Sequence, residues 1–469
     1  MKAEEREFSF IQGEMILEVP FFQRGYVWSE ENWGELLDNL FDRSQSHFIG
    51  SIILKQQPDG VPGEVERIMI IDGQQRLTTL SVLLRACYDT LSLGSGSGDW
   101  ADNQRTFLMK SLMYQEPGAS DEWVTKVVHS RLDADDYNAV IRGKWTHCYE
   151  QPADSGGEEG KKRETGKILR CYSYFMSDLE TRPADEVLML WNMLVGSEIK
   201  LIVKIDLGSE ENEQAIFDTV NTAGVRLRSS DTIKNALFQR ALECAGDEPR
   251  QRQEIIDFYS ATWENTFLSD DECLEFWQSE RAVGRLIRDN LEVLLRSVAI
   301  IRGFFDPTDQ KISSLPVLFK GYVKESGIED VMALVNEICR FSVTYREHFV
   351  GLAQYSFWKG KSRLNRVFSR CDFSPFDPFI LKTLNNCVLE KDSTIPRPIL
   401  DQFGQLESYV TRHFVCGVSA QDFNKECLSL LCGEKTIADL RRDKDNELND
   451  RAVEAACTLY RTFNSKQSD

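Results

Sequence analysis

The stretch 68-IMIIDGQQRLTTL-80 decides how this chain is read. Ile68, Met69, Ile70 and Ile71 have the apolar, β-branched character of a buried strand, whereas Leu77, Leu80, Leu84 and Cys87 recur on one face at helical spacing. Only Asp72 and Gly73 lie between the two patterns. A strand that passes so directly into a helix leaves the first N–H groups of that helix, here those of Gln74, Gln75 and Arg76, without intrahelical acceptors at the positive end of the helix dipole. That arrangement suits an anion. Arg76 adds a guanidinium able to fork onto phosphate oxygens, and Gly73 removes a side chain that would block close approach. Asp72 beside a phosphate is repulsive unless a divalent cation lies between them or the carboxylate orients a water. Gln74 and Gln75 suit holding that water or reading a base or sugar edge. The spacing is equally compatible with a plainer arrangement, in which Asp72 caps the helix and Arg76 pairs with it. Composition alone does not separate the two.

Working outward, strands are predicted over 14–19 and 48–56, with Ser29 capping a helix between them that carries Trp33, Leu36, Leu37, Leu40 and Phe41 at helical spacing. The segment 66–72 is a third strand. A Gly/Ser-rich loop follows the next helix, and residues 100–195 have mostly helical spacing, interrupted by the polar stretch 151–166. KLIVKIDL at 200–207 returns to a strand pattern, predicted to rejoin the N-terminal sheet, so that the stretch before it is a helical insertion. A helix is predicted in ENEQAIFDTVN, and beyond residue 240 nearly everything has helical spacing. The fold class expected is α+β: an α/β domain over 1–240 with its insertion at about 100–195, then a mostly helical domain over 241–469.

At 469 residues the chain is long enough for two or three domains with large cores. A hydrophobic content of 42% and a charged content of 28% are ordinary for a globular protein, and no apolar run approaches the length of a membrane span. The N-terminus has no apolar signal core, so a cytoplasmic location is expected and a membrane partner is not. The twelve cysteines form no C-x-x-C pair, which favours reduced thiols over zinc. A formal charge of −20 gives no general nucleic-acid footprint, so DNA would have to meet a local basic surface. The densest such run holds Lys359, Lys361, Arg363, Arg366 and Arg370; a solvated basic helix is its plainer reading. LDADDYN at 132–138 has the acids of a calcium loop, but Asn138 stands where glycine is needed and Lys144 where glutamate belongs.

IDGQQRLTTL resembles the DGQQR signature of the bacterial family found in the GmrS part of GmrSD-type modification-dependent restriction systems and in SspE-type phage-defence proteins. Further segments are similar to that family's. Pro20, Gln23, Arg24, Tyr26 and Trp28 match its P-x-x-QR-x-Y-x-W segment, and HFIGSIIL its following strand. Phe217, Asn221, Gly224, Leu227, Asp231, Lys234 and Asn235 match a later F-x-x-x-N-x-x-G-x-x-L-x-x-x-D-x-x-KN segment. The resemblance spans roughly residues 10–430 and implies a ParB-like fold for the N-terminal unit, with an NTP (ATP, GTP or CTP) held and hydrolysed at DGQQR, with Mg2+. Asp72, Gln74, Gln75 and Arg76 are then the catalytic candidates, with Asp72 holding the metal. Gly73, Arg76, Thr78, Gln23, Arg24 and Lys234 are the nucleotide-binding candidates. Arg24, Tyr26 and Trp28, two apart on an extended chain, are expected to line one wall, with Trp28 partly in the core. Tyr26, with Lys359, Lys361 and Arg363, is a candidate for sensing modified phage DNA. Many relatives carry or pair with an HNH nuclease, but the histidines here (His47, His129, His147, His348 and His413) form no such arrangement. The expected protein is a sensor and NTPase acting with a partner nuclease or other effector, not itself a nuclease. The alternatives are a non-catalytic nucleotide or modified-DNA binding module, and a scaffold for a partner nuclease or toxin.

Overall fold

The computed structural model describes residues 1–42, 47–56, 65–94, 98–115, 123–144, 166–208, 228–246, 248–283, 286–349, 374–387 and 395–465. The chain divides into two compact units, Met1–Arg226 and Leu227–Asp469. The first is mixed α/β, the second almost wholly helical.

In the first unit the chain runs β1 (Lys2–Arg6), β2 (Met15–Glu18), α1 (Glu30–Phe41), β3 (Gly50–Gln56), β4 (Glu66–Asp72) and α2 (Gln74–Gly94). There follow α3 (Gly98–Leu112), β5 (Met113–Gln115), β6 (Trp123–Thr125), β7 (Val127–Val128), α4 (Arg131–Ile141), α5 (Lys167–Thr181), α6 (Ala184–Val195) and β8 (Ile202–Leu207). Six strands form one mixed sheet in the order β1-β8-β3-β4-β2-β7. The strand at 202–207 does rejoin the sheet, parallel to β3. The stretch before it is not purely helical: β5 and β6 pair as a ribbon, and β7 adds to the sheet beside β2. Antiparallel β3 and β4 change register between Ile53 and Leu54, which leaves Ile71 as an extra residue on β4 just before Asp72.

Helix α2 is the centre of the unit. It packs against α3, α4, α5 and α6, and Leu77, Leu80, Val82, Leu83, Leu84, Ala86 and Cys87 are all fully buried. A helix enclosed on so many sides must satisfy its polar residues internally. Thr78, Thr79 and Ser81 do so by donating to the carbonyls four residues back, of Gln74, Gln75 and Leu77, at 2.7, 2.7 and 2.8 Å.

In the second unit a strand pair, Glu280–Val283 with Leu286–Asp289, is set among helices that include Ser229–Ala245, Asn290–Arg302, Ile328–His348 and Arg397–Cys416. Its core contains an aromatic run from Trp263 through Phe267 and Trp277 to Tyr345, with ring centroids 4.8, 5.0 and 5.7 Å apart. No helix among the described residues is long and apolar enough to cross a membrane.

Candidate functional site

The bulge in β4 delivers Asp72 opposite Ile53, and the chain turns at Gly73 with φ +97°. A Cβ on Gly73 would lie 2.9 Å from Ile52 Cγ1 and 3.0 Å from its Cα, so close packing on β3, as well as the positive φ, excludes a side chain there. The sequence assigned this glycine to ligand approach; the neighbour that requires it is a strand. Helix α2 begins at once, with Leu77 N–H donating to Gly73 O at 3.0 Å as its first bond. The N–H groups of Gln74 and Gln75 have no acceptor among the described residues.

Arg76 lies across Gly50, whose φ is +120° and whose added Cβ would come within 2.7 Å of the Arg76 Nε. Its Nη1 donates to Ser51 O at 3.0 Å and stands 3.7 Å from Asp72 Oδ2, an ion pair without a direct hydrogen bond. Asp72 is three-quarters buried, and burial raises its pKa against the opposing pull of Arg76, the Gly73 N–H and Arg24. The carboxylate is therefore short of positive charge even with Arg76 beside it.

Residues 19–29 have no strand or helix of their own, yet nearly every polar group of their middle is held. Gln23 Nε2 donates to Ile70 O at 2.8 Å, tying the segment to the end of β4. Gln74 Nε2 donates to Arg24 O at 2.9 Å, Gln75 Nε2 to Gly25 O at 3.1 Å, and Val27 N–H to Gln75 Oε1 at 2.8 Å. The two glutamines of the motif thus hold a backbone segment some fifty residues earlier in sequence. Gln75 has both ends of its amide engaged, whereas Gln74, only 9% exposed, keeps a buried Oε1 with no partner.

Tyr26 does not line an open wall. It is 5% exposed, with its hydroxyl 2.6 Å from Thr79 Oγ1 and accepting from Trp33 Nε1 at 2.8 Å. The expected alternation fails because the segment is not a strand: its side chains follow the clamp, and Tyr26 enters the core beneath α2 while Trp28 packs partly buried against it. Thr78 is likewise buried, donating to Gln74 O and lying 3.1 Å from His129 Nε2. Burial takes His129 down to about 4, so its imidazole is neutral at physiological pH.

The first unit therefore brings together Gln23, Arg24, Asp72, Gly73, Gln74, Gln75, Arg76 and Thr78. Lys234 belongs to the second unit, where it is buried on the helix Ser229–Ala245 with its Nζ 3.4 Å from Asp231 Oδ1. Lys359, Lys361 and Arg363 lie outside the described residues, as do Phe217, Asn221, Gly224 and Leu227. The sequence passed over Asp133, whose Oδ2 accepts from Tyr26 N–H at 2.7 Å. The signal was present in LDADDYN, an acid-rich start to a helix, but nothing local identifies a partner 107 residues away.

Residues 7–238 match the family model of the GmrSD restriction endonuclease, N-terminal domain. No curated protein matches the chain.

Proposed function

From a chain whose residues 7–238 belong to the family of GmrSD restriction endonuclease N-terminal domains, we propose that this component of a restriction or defence system binds and hydrolyses a nucleoside triphosphate at the start of α2. The observation that carries the reading is the junction itself. Two backbone N–H groups, of Gln74 and Gln75, have no acceptor among the described residues, at the positive end of a helix and beside a guanidinium. Polyphosphate is the ligand whose charge and oxygen spacing answer all three. A ParB-like arrangement of the unit belongs to the same proposal.

The residues fit a magnesium ion carried in with the nucleotide. Mg2+ is commonly held by one or two carboxylates plus substrate phosphates and waters, and Asp72 is a carboxylate still short of positive charge. Among the described residues no cluster of metal-ligating side chains forms an all-protein site. When bound there, the ion would neutralise phosphate charge and polarise the transferring group. Arg76, fixed by Ser51 O and by its packing on Gly50, would place its positive charge beside the phosphates. Gln74 Oε1, buried and without a partner, would accept a hydrogen from the attacking water or from the sugar. The test is phosphate release with ATP, GTP and CTP in turn, each with magnesium. Wild type is expected to exceed Asp72→Ala by at least about tenfold with one of the three; equal background release by both would overturn hydrolysis.

One observation favours a second reading, in which the nucleotide is bound without turnover and stabilises one conformation. The Gln75 amide, expected to orient a nucleophile, is fully engaged by Gly25 and Val27. Calorimetric binding of a nucleotide with no phosphate release would select it. In either reading Lys359, Lys361 and Arg363 are the proposed contacts for modified DNA, and coupling to a partner nuclease would run through a population shift driven by the nucleotide.

A further inference from the structure

Three neutral contacts and one ionisable group hold the backbone of residues 24–27. The carbonyls of Arg24 and Gly25 and the N–H of Val27 are taken by the two glutamines of α2, while the N–H of Tyr26 is taken by the Asp133 carboxylate of α4 at 2.7 Å. Gly25 lies directly against the same carboxylate: a Cβ there would be 3.3 Å from Asp133 Oδ2. The segment so fixed carries Arg24, whose charge acts on Asp72.

We propose that Asp133 is a positioning residue of the candidate site: from α4 it locks the Arg24–Val27 backbone onto the first turn of α2 and so sets where Arg24 stands relative to Asp72. The role rests on the nucleotide reading of that site, while the lock itself is a property of the protein without ligand. No other member of this clamp titrates near neutrality, since its remaining side chains are amides.

The choice of an acid here is informative. Burial raises Asp133 to about 6; the Tyr26 N–H and Lys167 on α5 pull against that, and Asp136 on the same helix adds to it. A carboxyl whose folded pKa lies above its ordinary 3.8 makes the folded state bind more protons between 3.8 and about 6, so stability falls as pH rises through that window. Above it the ionised Asp133 costs stability. An asparagine would accept from Tyr26 without that cost. Retaining the acid gives the clamp a charge-assisted bond at neutral pH that weakens near pH 6.

The test compares wild type, Asp133→Ala and Asp133→Asn by two measurements made across pH values bracketing 6: hydrogen exchange of the peptide covering residues 21–29 without nucleotide, and titration with magnesium–ATP, –GTP and –CTP. In wild type the protection of residues 24–27, corrected for intrinsic exchange, is expected to fall as pH drops through about 6. A local opening that breaks the Tyr26 bond but leaves Asp133 buried removes a contact that lowers its pKa, and is therefore favoured by protonation, unlike global unfolding. Asp133→Ala is expected to lose about tenfold of that protection at neutral pH and to weaken the nucleotide by a similar factor. Asp133→Asn is expected to keep both, with the step in pH gone and an unfolding midpoint at least as high as wild type. Unchanged protection in Asp133→Ala, or a surviving step in Asp133→Asn, would overturn the proposal. Should Asp133→Ala fail to fold, the Asp133→Asn profile alone decides it. A wild type with the protection step but no uptake of any of the three nucleotides would leave the lock standing and remove the reading of the site.

Discussion

Lys126 is 3% exposed, and its Nζ donates to Ile11 O and Gly13 O at 2.7 and 2.6 Å, closing the tight turn Phe8–Gln12 against β2. Burial lowers its pKa to about 8, with Glu14 opposing the shift. A neutral amine still has two hydrogens for two carbonyls, so the bonds survive deprotonation. The sign follows from proton counting: between about 8 and the ordinary 10.5 the unfolded chain binds the proton and the folded one does not, so stability rises with pH through that window. Against the fall that buried thiols such as Cys87 and Cys171 impose as pH rises, Lys126 is expected to add a rising contribution to the urea midpoint from pH 8 to 10. Lys126→Met is expected to lose that contribution, so that its slope is more negative than that of wild type. An unchanged slope in the variant would assign the pH dependence elsewhere. At the same scale, the candidate site residues of the motif are only half legible. Asp72, Gly73 and Arg76 announce a junction, but whether Gln75 faces a ligand or a distant backbone depends on Gly25 and Val27, which no local pattern connects to it.

Between elements, the junction from β4 to α2 depends on the extra residue Ile71 and on the approach of Gly73 to Ile52. Gly246 offers an internal comparison: it also has positive φ, +56°, but an added Cβ would meet nothing within 4 Å. Gly246→Ala is expected to cost about 1 kcal/mol, the backbone term alone, and Gly73→Ala about 1–3 kcal/mol beyond it, since β3 must move. Equal midpoints in urea unfolding would contradict the close packing. The order strand, helix, strand, strand, helix and the return of β8 are readable because each buried element carries its own apolar period, as Ile68 and Ile70 or Leu77 and Leu84 do. Strand β1 is not readable: KAEER is charged at every position but Ala3 and mostly exposed, and only its pairing with β8 makes it a strand. Strand β7 is two residues long, too short to show any period.

For the whole molecule, a charge of −20 opposes any polyanion at long range, so a nucleotide must be drawn in by local groups and by the cation it brings. A ligand that binds only the folded first unit raises the stability of that unit by mass action, about 2.7 kcal/mol at a hundred times its dissociation constant. Calorimetric melting with excess magnesium–nucleotide is therefore expected to shift upward in wild type and to stay put in Asp72→Ala. Any DNA affinity supplied by the basic run is expected to fall steeply as salt rises from low to physiological, and a flat salt series would remove DNA from the account. The central claim, that the start of α2 grips a polyphosphate, is tested most directly by a crystal structure grown with magnesium and a large excess of a non-hydrolysable triphosphate analogue. Phosphate oxygens are expected at hydrogen-bond distance, about 3 Å, from the N–H groups of Gln74 and Gln75, with the metal on Asp72. A nucleotide seated elsewhere, or those N–H groups capped by the protein's own carbonyls, would contradict it.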